Sequence, residues 1–132
     1  MKFNIKYVFV YGTLKTDGRL FHLLEPYTKK VTSGVVRNAA LYDVACGAFP
    51  GIVLNSTDRH VVGELHEINN MAATLKILDS VEGYHGENEQ NHYNRKIATI
   101  HSEFGEIPAF IYEYARDIGE KDLIKSGIWD NK

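Results

Sequence analysis

The densest apolar run lies near the start of the chain. Tyr7-Val8-Phe9-Val10-Tyr11 carries no charge and breaks at Gly12, after which Thr13-Leu14-Lys15 turns polar. A short continuous run of aromatic and β-branched residues predicts a strand covered on both faces. Gly12 lets the chain turn and approach a ligand where a Cβ would obstruct; the plain alternative is a strand end with an ordinary turn. Beyond the polar stretch Lys15 to Gly18, Leu20, Leu23 and Leu24 at helical spacing predict one or two helical turns that stop at Pro26. Val31, Val35, Leu41 and Val44, with polar residues between them, predict a long extended segment from residue 29 to 45, bent near Gly34. Gly47, Pro50 and Gly51 punctuate before Ile52-Val53-Leu54, and residues 60 to 68 read as a further strand through Val61, Val62 and Leu65. The Asn55-Ser56-Thr57-Asp58 cluster between those runs is turn chemistry and predicts a hairpin.

In the second half, Asn69 or Asn70 can cap a helix whose apolar stripe is Met71, Leu75 and Leu78 at i, i+4, i+7, with Glu82 just beyond its end. Gly83 to His92 is polar and unpatterned and reads as a long loop. Two extended segments follow, 93 to 100 and 107 to 114. Phe110, Tyr112 and Tyr114 share one face of the second by period two, and Pro108 marks an edge or a strand start. The pattern predicts an α+β fold of mostly antiparallel strands with one main helix, curling towards a small barrel whose closure periodicity alone does not establish. Residues 1–116 form the expected domain. Residues 117–132 are a charged tail carrying Ile124, Ile128 and Trp129, expected to dock on that domain.

Composition narrows the classes of function. A chain of 132 residues is one domain, long enough to hide an apolar core without disulfides or a structural metal. Charged residues make up 24% of the chain and nearly cancel to a net charge of -2. That leaves no electrostatic footprint for nucleic acid or anionic lipid. The N-terminal apolar run is too short for a membrane span and lacks a signal-peptide cleavage site. A soluble cytoplasmic protein, monomer or homodimer, is the expectation. Cys46 is the only cysteine, so no internal disulfide forms, and its Ala45-Cys46-Gly47-Ala48 setting reads as a small packing position. Among the six histidines, His66 shares a strand face with Glu64 by period two, yet no metal motif or cysteine cluster completes a site. Scattered surface histidines and no metal are expected. No Gly-x-Ser-x-Gly elbow or glycine-rich phosphate loop is present.

Two motifs, taken together, resemble a known family: the Tyr11-Gly12-Thr13-Leu14 loop and the segment Leu78-Asp79-Ser80-Val81-Glu82-Gly83. They resemble the gamma-glutamylcyclotransferase-like (AIG2-like) family, whose small members include gamma-glutamylaminecyclotransferases and YtfP-like proteins. Leu41-Tyr42-Asp43, Phe49-Pro50-Gly51-Ile52-Val53, Val62-Gly63-Glu64-Leu65 and Tyr93-Asn94-Arg95 follow in the expected order. The resemblance implies a barrel with its cavity between the first strand's loop and the Glu82 segment. It also implies a cofactor-independent reaction on a small gamma-glutamyl amine or gamma-glutamyl amino acid. There the substrate's α-amine closes a five-membered ring on its own γ-carbonyl, releasing 5-oxoproline and an amine, so proximity is built into the substrate.

Within that reading Glu82 is the expected catalytic acid/base, taking a proton from the amine and returning it to the leaving nitrogen. An ordinary glutamate, with a pKa of about 4.3, is a weak base near neutrality, so a partly apolar pocket helps; Val81, Tyr84 and the aromatic strands are its expected walls. The amides of Tyr11, Gly12, Thr13 and Leu14 are expected to hold the glutamyl group or its oxyanion. Tyr93 is carried as a further substrate contact, and Tyr42 and Tyr112 as residues facing the same cavity. The acidic Gly83 to His92 loop, with Glu87 and Glu89, is expected to border the side where the amine leaves. A different class of function, a non-catalytic module binding a small ligand in the same cavity, stays open on the sequence.

Overall fold

The computed structural model describes residues 4–130. The elements, in chain order, are β1 (Tyr7–Val10), α1 (Phe21–Leu24), β2 (Thr28–Arg37), β3 (Ala40–Asp43), β4 (Pro50–Val53), β5 (His60–Ile68), α2 (Met71–Glu82), β6 (Tyr93–Ser102), β7 (Gly105–Tyr114) and β8 (Asp122–Leu123). Five strands close a barrel in the order β1-β5-β2-β6-β7, and β7 returns beside β1 in parallel through the Val8–Phe110 pair. The other barrel pairings are antiparallel. The remaining strands make a small sheet ordered β4-β3-β8.

The uninterrupted apolar run of β1 has a direct explanation, since successive side chains enter two different cores. Phe9 and Tyr11 pack with Leu65, Ile100 and Ile111, whereas Val8 and Val10 pack with Tyr93, Tyr112, Leu24 and Leu78 of α2. A strand buried on both faces has no position for a polar residue. Space for Phe9 comes from Gly34 and Gly63, which face each other across β2 and β5. A Cβ on Gly34 would lie 2.6 Å from Ile100 Cγ2, and one on Gly63 would lie 2.7 Å from Phe9 Cζ.

α1 ends at Leu24 with Glu25 as its C-cap, so the helix stops ahead of Pro26 as expected, and Pro26 itself sits in a 3₁₀ turn, Glu25–Tyr27, that follows. Its fixed φ suits the first positions of such a turn. Several expectations are corrected by long-range pairing. The segment from 29 to 45 is not one strand bent at Gly34. β2 runs through Gly34 in register with β5 and ends at Arg37, and Asn38, at φ 60°, turns the chain into β3 of the other sheet. Asn tolerates that left-handed conformation better than most residues. Asn55–Asp58 is no hairpin either: β4 pairs with β3 while β5 pairs with β1 and β2, so this turn carries the chain from small sheet to barrel.

The α2 stripe is also rotated from the expected one. Asn70 caps the helix, its side chain accepting from Ala73 N at 3.2 Å, and Thr74 and Leu78 are the buried residues. Leu75 stays partly exposed, because Thr74 satisfies its hydroxyl on Asn70 O at 3.0 Å and can take the inner position. Cys46 is exposed at φ 51° and is not a packing residue. Past β7, Leu123 of β8 pairs with Tyr42, Ile124 N donates to Leu41 O at 2.8 Å, and Trp129, 3% exposed, enters the core beside Val61 and Leu41. Among the described residues no helix is long and apolar enough to cross a membrane.

Candidate active site

The end of β1, the loop after it, the last turn of α2 and Tyr93 of β6 surround a cavity of about 360 Å³. Gly12 is where the loop presses on β4, since a Cβ there would come within 2.6 Å of Pro50 Cγ. The consequence lies in the main chain. Among the described residues, the amides of Gly12, Thr13 and Leu14 donate to no protein acceptor, while the next amide, Lys15 N, reaches Gly12 O at 3.1 Å. Three consecutive uncommitted donors lining a cavity form a cradle for an anionic or developing negative oxygen.

Opposite the loop's sequence, α2 delivers Glu82. It is the helix's last residue, rather than the one beyond it, and follows the buried Leu78 by four positions, which puts both on one helix face. Gly83, at φ 65°, ends the helix in the left-handed conformation, its amide bonding back to Asp79 O and Ser80 O. The Glu82 side chain takes no hydrogen bond or ion pair from the described residues. It keeps partial solvent contact, yet the loss of water around its carboxyl pushes the pKa up to about 7.

Asp79, one turn earlier, has the opposite surroundings. Arg95 donates to Oδ2 and the Tyr112 hydroxyl to Oδ1, each at 2.6 Å, tying the helix's last turn to β6 and β7. The Arg95 guanidinium lies 5.2 Å from the Tyr84 ring centroid, which holds Tyr84 outside the cavity. Val81 does line it.

Tyr11, Gly12, Thr13, Leu14, Glu82 and Tyr93 all border this one cavity. The two tyrosine hydroxyls, however, are spent on the main chain. Tyr11 donates to Tyr112 O at 2.6 Å and accepts from Ile52 N at 3.2 Å, and Tyr93 donates to Pro50 O at 2.6 Å. Burial first, then neighbouring acidic groups including Glu82, push both phenols up, so they stay protonated and act as walls. Tyr112 lines the cavity, but Tyr42 does not, being taken by β8. Of the Gly83 to His92 loop only the two ends reach the cavity, because His92 N donates to Gly83 O at 3.0 Å and closes the loop off. Glu87 and Glu89 are exposed beyond that closure.

Pattern reading gave no site role to Arg19, Leu20, Phe49, Pro50 or His92, which complete the walls. Phe49-Pro50 was visible as a motif, but its approach to Gly12 depends on which sheet β4 joins. His92 packs its ring edge-on to Phe49 and Tyr114, and burial, then Arg116, lowers its pKa. Nor are the histidines all on the surface, for His66 is fully buried against Glu64.

A small barrel with a cavity bordered by a carboxyl pushed up to about 7 and by a row of free amides has the make-up of a small-molecule site. The chain belongs to the family described as gamma-glutamyl cyclotransferase, AIG2-like, which matches residues 8–131. Gamma-glutamylcyclotransferase activity is the class of reaction that this membership supports. The Methanocaldococcus jannaschii protein MJ1514, named provisionally as a gamma-glutamylcyclotransferase, is 34% identical over 93% of this chain and 94% of its own length. The crystal structure of an AIG2-like protein from Mus musculus superposes with a TM-score of 0.72 at 19% identity, covering 97% of this chain and 90% of that one. For ytfP from Escherichia coli the values are 0.61 and 27%, over 93% and 95%.

Proposed function

We propose that the protein converts a gamma-glutamyl amine or gamma-glutamyl amino acid to 5-oxoproline and the free amine, without a cofactor, using Glu82 as its acid/base. One observation carries this reading: a carboxyl with no partner among the described residues and a pKa pushed up to about 7 borders the same cavity as the free amides of Gly12–Leu14. A value near 7 suits a group that takes up and returns a proton, whereas a site that only held the ligand's ammonium is served by an ordinary ionised glutamate.

The steps follow from those groups. Ionised Glu82 takes a proton from the substrate's α-ammonium; at about 7 it is much better matched to an α-amine near 8 than an ordinary glutamate would be. The freed nitrogen attacks the γ-carbonyl carbon, and the amides of the loop stabilise the oxyanion that forms. Protonated Glu82 then gives its proton to the leaving nitrogen, and the oxyanion re-forms the carbonyl as the old C–N bond breaks. The ring nitrogen passes its second hydrogen to the departing amine, which leaves as an ammonium, and the carboxylate is restored.

The test is 5-oxoproline release by the purified protein from a panel of gamma-glutamyl amino acids and gamma-glutamyl-ε-lysine. Wild type is expected to release it, and Glu82→Gln to bind substrate with kcat lowered by about 10²–10⁴. A Glu82→Gln variant cyclising at near the wild-type rate would overturn the role given to Glu82.

A further inference from the structure

The outer face of β5 carries a hydrogen-bonded chain that the reaction does not use. Glu64 Oε1 accepts from Thr16 N at 2.8 Å and lies 3.0 Å from His66 Nε2, while Oε2 accepts from the Thr16 hydroxyl at 2.8 Å. An ionised carboxylate only accepts, so Nε2 carries the hydrogen. The other ring nitrogen, Nδ1, lies 3.1 Å from the Thr28 hydroxyl, and the ring, fully buried, packs against Phe21. The chain therefore runs from β2 through β5 to Thr16, two residues past Leu14.

Thr16 is not an isolated point of attachment. The loop closes on itself through Leu20 N to Thr13 O at 2.9 Å, Gly18 N to Lys15 O at 2.7 Å and Lys15 N to Gly12 O at 3.1 Å. Residues 12–20 thus behave as one compact ring, and a hold on Thr16 is a hold on Gly12–Leu14. Both carboxylate oxygens grip the same residue, one through its main chain, which fixes orientation as well as position. Burial would raise the Glu64 pKa, but the bonds from His66 and Thr16 outweigh it and lower the value, so the carboxylate acceptor persists into mild acid.

We propose that Glu64, braced by buried His66, is the positioning residue that holds the Gly12–Leu14 amides where the oxyanion develops. This rests on the cyclotransferase reading given above. A displacement of about 1 Å in such donors costs up to about 10²-fold in rate. It also gives the contact between buried His66 and half-buried Glu64 a task that core packing by apolar residues would not perform.

The experiment takes Glu64→Ala, Glu64→Gln and Thr16→Ala, the last at an exposed position that tolerates substitution, each checked for folding by circular dichroism. Two readouts are used: kcat/KM on whichever gamma-glutamyl compound wild type turns over, and NMR order parameters of the Gly12–Leu14 amides. Glu64→Ala is expected to lose about tenfold in kcat/KM and to drop those order parameters from about 0.85 towards 0.6. Glu64→Gln, which can still accept from Thr16 N and bond its hydroxyl, is expected to stay within about threefold of wild type, and Thr16→Ala to lose about threefold with the same loop loosening. A folded Glu64→Ala with wild-type kcat/KM overturns the proposal, whether or not the loop loosens. If Glu64→Ala does not fold, Thr16→Ala decides by the same two readouts. Wild type without any cyclisation would sink the cyclotransferase reading itself, and rigid loop amides in the variants would sink the clamp separately.

Discussion

Asp79 and Glu82 stand one turn apart on the same helix, carry the same functional group, and have different tasks because of what surrounds them. Asp79 has both oxygens filled, by Arg95 and by the Tyr112 hydroxyl, and fastens the end of α2 to the barrel. Glu82 has no partner among the described residues and has lost much of its water, which pushes its pKa up to about 7. The fastened carboxylate makes the bare one possible. A helix end that could swing would let Glu82 find solvent, and its pKa would relax. On the function proposed above, stability and reactivity are divided between two acids that are nearly neighbours in sequence.

The strongest test of that division is in the rate. Exchanging Glu82 for Gln removes the proton carrier and is expected to lower kcat by about 10²–10⁴, whereas Asp79→Asn, measured in the same 5-oxoproline assay, should lose far less. Equal losses would mean that the two acids act as one unit. Next in size is a pH effect on stability. Below about pH 4.5 the Glu82 carboxyl is neutral in both folded and unfolded chains and costs nothing. Between 4.5 and about 7 the unfolded chain releases the proton and the folded one keeps it, so stability falls as pH rises, by at most about 3 kcal/mol above 7. Urea midpoints should therefore show Glu82→Gln more stable than wild type at pH 8 and level with it at pH 4.

Asp79→Asn is expected to destabilise at both pH values by about 2 kcal/mol, since it weakens the bond from Arg95 and disturbs that from Tyr112. The partial exposure of the Asp79–Arg95 pair keeps the loss below that of a fully buried one. The smallest change is Tyr112→Phe, which removes one hydroxyl and should cost about 1 kcal/mol by urea unfolding. A Tyr112→Phe loss as large as that of Asp79→Asn would show that the tyrosine, and not the arginine, fastens the helix.

What could be read in the sequence was what depends on neighbours along the chain. The β1 run, the capped α2 helix and the Glu82-Gly83 pair after its stripe all declare themselves within about a dozen residues, and family resemblance supplied their meaning. The Asn38 turn and the separation of β4 from β5 did not, because the choice of partner strand is made by residues far away. The bracing of Glu64 escaped for the same reason. Period two placed it beside His66, but nothing local reveals that Thr16, 48 residues earlier, closes the network. His66 was read as one of the scattered surface histidines, and its burial overturns that reading.

The Lys15 ammonium donates to the carbonyl of Trp129 at 2.6 Å, across 114 residues. During synthesis the loop motif emerges well before the group that anchors its lysine. Tyr11 waits similarly for the carbonyl of Tyr112, 101 residues later. Contacts so distant close late, after shorter ones have formed. The loop of the cradle therefore stays without its Trp129 anchor until the intervening chain has followed it out.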